Sequence, residues 1–213
     1  MKVSFDIQPK QFPNVGFLEI KLFPEAVKFL KECIKNKKGK YKSNLAGNIK
    51  GSWELKDKKD WFFNNVLVDC INSYAENFKL KGVVYNQLTK NCGYCLNSMW
   101  VNFQKKYEFN PMHTHSGAFS FVIWINIPYD YLKEHSLPFV KEANDQLASD
   151  FAFVYNDVLG NIESHTYSLN KNSNGLMLFF PSRLNHLVYP FYTSDKTRIS
   201  ISGNVTLNVK DIR

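Results

Sequence analysis

The spacing of apolar residues changes period near the middle of the chain. Before about residue 80, Val27, Leu30, Cys33 and Ile34 form one stripe, and Phe63, Val66, Leu67, Cys70, Ile71, Tyr74 and Phe78 form another. Recurrence every three to four positions predicts two amphipathic helices. Pro24-Glu25 opens the first, and Asp60 is the expected cap of the second, which runs to about Leu80. From about Cys95 the period is two. The segments 96–103, 118–127, 151–155, 164–169, 176–180 and 197–209 read as strands. Residues 1–20 add one or two short strands, carrying Phe5, Ile7, Phe12, Val15, Phe17 and Ile20 and broken by Pro9, Pro13 and Gly16. Asn44 to Asn48 is a loop, and Asn172-Ser173-Asn174-Gly175 is a turn. Helices that come first and many short strands that follow predict a mainly β jelly-roll barrel with flanking helices.

The chain has no internal repeat, low-complexity tract or linker, so residues 1–213 read as one domain. Strands and two packing helices occupy 1–90, and the jelly-roll core occupies 91–213. Within that core the segment 129–149 is polar, interrupted at Pro138 and longer than a hairpin connection. It is expected either to cover the site as a lid, with Tyr129 and Tyr131 touching substrate, or to pack on the outer sheet.

Hydrophobic residues make up 44% of the chain and aromatics 15%, a folded composition. No apolar run approaches the ~18 residues of a membrane span. The N-terminus lacks the apolar stretch of a signal peptide, so a cytoplasmic protein is expected. The net charge of +8 would attract anionic partners. Its lysines are dispersed, however, and the densest group, between Lys31 and Lys42, reads as a solvated face. Of four cysteines, Cys33 and Cys70 lie on apolar helix stripes. Cys92-Gly93-Tyr94-Cys95 has no second pair at zinc-site spacing, and reduced, buried thiols are the reading.

Chemistry concentrates in three of the five histidines. His113 and His115 are two apart, so an extended backbone can aim both imidazoles at one point. His186 stands after a turn, a buried strand and a proline stop. Three such ligands leave metal positions open, which suits a metal that must also bind a second substrate and oxygen, such as non-haem iron. Arg198 follows on a strand that alternates Arg198, Ser200, Ser202 and Asn204 against Ile199, Ile201, Gly203 and Val205, giving one polar face. Its guanidinium offers a planar fork for a carboxylate. His135 and His165 have no partner at useful spacing and read as structural.

Several segments together resemble the 2-oxoglutarate/Fe(II)-dependent oxygenase superfamily, and within it the prolyl-4-hydroxylase-like branch of small bacterial and phage proteins. They are Trp100-Val101-Asn102, Asn110 to Gly117, Ser120 to Ile125, Leu178 to Ser182 with His186, and Arg198 to Asn204. The resemblance implies a double-stranded β-helix of cupin-like type. It implies Fe(II) as metal, and 2-oxoglutarate and O2 as co-substrates. It makes His113 and His186 iron ligands, with His115 where most of the superfamily has a carboxylate. Arg198 would hold the far carboxylate of 2-oxoglutarate, helped by Ser200 and Asn102. The reaction implied is hydroxylation of a substrate C–H bond, with a peptidyl prolyl side chain as leading substrate.

Three readings compete. A three-histidine cupin would not need Arg198. A nucleobase or small-molecule hydroxylase of the same fold would use the same site, with the basic surface steering nucleic acid. A structural-zinc binding module fits three ligands with an open position poorly.

Overall fold

A computed structural model describes residues 16–41, 45–78 and 93–208. The expected strand positions before Gly16, the last residues of the second helix, Cys92 and Lys42 lie outside these residues. The described strands form two antiparallel sheets. The larger has six strands in the order β1 (Leu18–Lys21), β8 (Leu176–Pro181), β5 (Phe119–Asn126), β10 (Arg198–Leu207), β3 (Tyr94–Gln104) and β2 (Gly51–Glu54). The smaller has four, β4 (Asn110–His113), β9 (Asn185–Val188), β6 (Phe151–Asn156) and β7 (Ile162–Tyr167). This is a double-stranded β-helix whose sheets face each other without closing into a continuous barrel.

Alternation along the large sheet builds two cores. Phe119, Phe121, Ile123, Met177, Phe179, Ile201 and Val205 point to one side, where α1 (Pro24–Lys35) and α2 (Val68–Phe78) cover them with Ala26, Leu30, Cys33, Cys70, Ile71 and Tyr74. Val122, Trp124, Leu178 and Phe180 point to the other side, against Phe151 and Phe153 of the small sheet. The helices are therefore the outer layer predicted from their stripes, and each strand buried on both faces carries a near-continuous apolar run. Burial pushes the Cys33 and Cys70 thiols up to about 11 and 12, leaving both as unreactive packing groups.

The second helix starts differently from the expectation. Asp57, not Asp60, is the cap: its carboxylate accepts from the backbone N–H of Phe62 and Phe63, each at 2.9 Å. Asp60 sits at φ 51°, away from the extended conformation a cap requires. A π-helical turn, Phe63–Leu67, then leads into α2.

The insertion packs rather than covers. It contributes one short helix, α3 (Tyr131–His135), whose Glu134 is fully buried. That carboxylate accepts from the backbone N–H of Tyr192 (2.8 Å) and Thr193 (2.9 Å) and from the Thr193 hydroxyl. Tyr131 rests on His135, which pairs with Asp150 at 3.2 Å. No helix among the described residues is long and apolar enough to cross a membrane.

Candidate metal centre

The site arises where the chain crosses from the large sheet to the small one. After β8 ends at Pro181, Leu184 N–H donates to the Pro181 carbonyl at 2.9 Å and turns the chain into β9. β9 pairs antiparallel with β4, and the register sets His186 directly opposite His113. Their ring centroids are 4.3 Å apart. His115 lies just past β4, held by its N–H to the Ser182 carbonyl at 2.8 Å, with its ring 4.9 Å from His113 and 5.1 Å from His186. Its neighbour Gly117 has φ 104°, and a Cβ there would meet the Val205 carbonyl oxygen at 2.8 Å, so the turn after the histidines needs glycine. One ligand nitrogen from each of the three imidazoles falls within 4.8 Å of the other two.

The surroundings fit a divalent metal. His113 donates Nδ1–H to the Pro111 carbonyl at 2.7 Å and His186 donates Nδ1–H to the Leu184 carbonyl at 2.9 Å. Both bonds fix the tautomer that leaves Nε2 free as a ligand. Burial, reinforced by the charges of His113 and His115, pushes His186 down to about 3. Burial and then His113 push His115 down to about 4, and burial lowers His113 against the pull of the Pro111 carbonyl. All three are neutral near pH 7, the form that binds metal. Phe151 stacks along His186 and Phe180 meets it edge-on, while Trp100, itself stacked on Tyr41, meets His115.

The histidines open onto a cavity of about 170 Å³. Strand β10 contributes Arg198, Ser200 and Ser202, as the polar face of that strand predicted, and β3 contributes Trp100, Asn102 and Gln104. Asn102 is buried and accepts from the Ser52 hydroxyl at 2.7 Å. Arg198 is 1% exposed, and no ion pair is formed to it among the described residues. It carries a buried positive charge with no carboxylate at ion-pair distance, the charge of the buried Asp150 acting on it only from farther off, a place that favours an anion. The structure thus brings Asn102, His113, His115, His186, Arg198 and Ser200 to one cavity.

Other walls were not foreseen. Leu45, Ala46, Gly47 and Ile49 form one side, tied down where Asn48 N–H donates to the Phe109 carbonyl at 2.8 Å. Their only sequence signal is a loop. No residue of the insertion lines the cavity, which overturns the lid. Its end residue Tyr129 is buried, so it is not a substrate contact; its hydroxyl binds Arg198 from behind.

A family model described as "Putative 2OG-Fe(II) oxygenase" matches residues 98–204, a span that includes all six of those residues. A prolyl-4-hydroxylase of Pseudomonas putida superposes with a TM-score of 0.50 at 12% identity, covering 89% of this chain and 91% of its own. A prolyl hydroxylase from Trichoplax adhaerens, in complex with a hypoxia inducible factor oxygen degradation domain peptide fragment, gives 0.47 at 13% identity, covering 90% and 83%. An oxidoreductase of the 2OG-Fe(II) oxygenase family from Burkholderia pseudomallei gives 0.38 at 16% identity over 56% of this chain, and the match spans about half of that protein, 47%. No curated protein matches.

Proposed function

This chain belongs to the 2OG-Fe(II) oxygenase family, and from that premise we propose that it hydroxylates a peptidyl side chain, with proline as the leading candidate. It is a 2-oxoglutarate-dependent dioxygenase with Fe(II) and 2-oxoglutarate as its cofactor and co-substrate. When bound, these supply oxidative decarboxylation of 2-oxoglutarate to succinate, coupled to oxygen insertion into a C–H bond.

The residues divide the work by position. His113, His115 and His186 are assigned as the metal ligands, with the Pro111 and Leu184 carbonyls holding the orientation of His113 and His186. Replacing the usual carboxylate by His115 leaves the ligand set one negative charge poorer. Arg198 is assigned to the far carboxylate of 2-oxoglutarate, with Ser200 and Asn102 beside it on adjacent strands at paired positions. Trp124, Phe151 and Phe180 wall the cavity and keep water from the reacting end.

The observation that carries the substrate class is the size of the cavity. About 170 Å³ is small next to the ~300–1,000 Å³ of pockets that engulf a drug-sized ligand. It holds the co-substrate and leaves the substrate to enter as a projecting side chain. The description of the Pseudomonas putida protein as a prolyl-4-hydroxylase agrees in direction.

The test is succinate release from 2-oxoglutarate by the Fe(II)-loaded protein, with proline-containing peptides, free proline or single-stranded oligonucleotides added. Stimulation by peptides alone is expected, with a product 16 Da heavier. Stimulation by oligonucleotides alone replaces the peptide reading with a nucleobase one.

A further inference from the structure

Arginine has five N–H donors, and in Arg198 every one is engaged. Nε and Nη2 both donate to Oε1 of Gln104, at 3.0 and 2.8 Å. Nη2 also donates to the Tyr189 carbonyl at 2.9 Å, and Nη1 donates to the Ser149 carbonyl at 2.7 Å and to the Tyr129 hydroxyl. These partners form two groups. Tyr129, Ser149 and Tyr189 stand outside the cavity wall and grip the guanidinium from behind. Gln104 lines the cavity, and its one oxygen bridges the Nε–Nη2 edge, an edge across which arginine pairs with both oxygens of a carboxylate.

We infer that the Gln104 carboxamide is a displaceable stand-in for the far carboxylate of the co-substrate, and that its release sets affinity and selectivity for a dicarboxylic 2-oxoacid. The inference rests on the assignment of Arg198 to that carboxylate. An incoming carboxylate replaces a single neutral oxygen by two charged ones, and charge-assisted bonds are roughly twice as strong as neutral ones. It also gives the buried cation a counter-charge. Opposing it is the hold on the amide itself, whose Nε2 donates to the Glu108 carbonyl at 2.5 Å near the end of β3. A 2-oxoacid with one carboxylate, such as pyruvate, uses that group at the metal and has nothing with which to displace the amide. Gln104 then acts as a competitor at the fork: it opposes only a ligand that reaches for the guanidinium, and a second carboxylate is what displaces it.

The experiment measures binding rather than turnover. Calorimetry with Mn(II) in place of Fe(II) compares 2-oxoglutarate and pyruvate on the wild type, Gln104→Ala, Gln104→Glu and Arg198→Ala. With the competitor gone, Gln104→Ala should bind 2-oxoglutarate about tenfold tighter, the scale of one net hydrogen bond, with pyruvate unchanged. Gln104→Glu places a tethered carboxylate in the fork and should weaken 2-oxoglutarate more than about tenfold, again sparing pyruvate. Equal or weaker 2-oxoglutarate binding in Gln104→Ala, no weakening in Gln104→Glu, or a parallel change for pyruvate each overturns the stand-in. If Arg198→Ala binds 2-oxoglutarate like the wild type, the assignment of Arg198 fails and the stand-in with it. If Arg198→Ala loses 2-oxoglutarate while Gln104→Ala gains nothing, only the stand-in fails. Mn(II) affinity serves as the fold control. Should Gln104→Ala not fold, Gln104→Met keeps the bulk without the acceptor and takes its place.

Discussion

Replacing Tyr129 by Phe removes one oxygen and tests the rear grip on Arg198. The hydroxyl accepts from Arg198 Nη1 and donates to the Ser149 carbonyl at 3.1 Å. Tyr129, Ser149 and Arg198 are all buried, so water does not readily replace what is lost. The ring itself stays in place, stacked on Phe191 with centroids 4.8 Å apart and lying under the guanidinium at 5.6 Å. The substitution therefore isolates the hydroxyl. Leaving one N–H of a buried cation without a partner costs ~1.5–3 kcal/mol, and losing the neutral bond to Ser149 ~0.5–1.5 kcal/mol. The lower end applies to the second, because the Ser149 carbonyl keeps its bond from Arg198. The sum is about 2–3.5 kcal/mol, a large share of the ~5–15 kcal/mol by which domains are stable. With a urea slope of ~2–3 kcal/mol/M for a chain of this size, the midpoint should fall by about 1 M. Urea titration followed by tryptophan fluorescence reads this directly. A guanidinium freed at its back should also hold 2-oxoglutarate about tenfold less tightly, ~1.4 kcal/mol. A midpoint shift under about 0.3 M, smaller than the loss of one neutral hydrogen bond at that slope, with unchanged 2-oxoglutarate affinity, refutes the claim that Tyr129 anchors Arg198.

Mn(II) at a hundred times its Kd should stabilise the protein by ~2.7 kcal/mol, or about 5–10 °C in Tm at this chain length; His186→Ala should abolish that shift in thermal melts. His115→Ala should lose more Mn(II) affinity than the ~10–100-fold typical of an outer partner, and wild-type affinity by calorimetry would remove His115 from the ligand set. His115→Asp, which restores a carboxylate, should keep metal binding. Glu134→Ala deprives the N–H groups of Tyr192 and Thr193 and the Thr193 hydroxyl of their acceptor. It should cost about 2–4 kcal/mol and speed hydrogen exchange at those two amides, without altering Mn(II) affinity.

Much of the fold can be read locally because it is local physics. A period of 3.6 in Val27, Leu30 and Cys33, or of two in Arg198 to Val205, follows from how each backbone orients its Cβ atoms. The helices covering a sheet and the polar face of β10, with Arg198 and Ser200 on it, were legible on that basis, whereas the roles of Asn102, His113, His115 and His186 came from the resemblance of their segments to a known family. β4 and β9 were not, since four residues each, Asn110–His113 and Asn185–Val188, are too short to show a period. Their pairing decides the metal centre, because register alone sets His113 opposite His186, and register is a choice among non-local alternatives. The setting of Arg198 has the same character. Its partners Gln104, Tyr129 and Ser149 lie 94, 69 and 49 residues away. A buried cation must find acceptors, and the sequence supplies that demand through the residue type. Which oxygens meet it depends on how β3, the two ends of the insertion and the chain after β9 converge. The same convergence draws the insertion behind the guanidinium and away from the cavity mouth, so its length and polarity suggested a lid that the packing does not make.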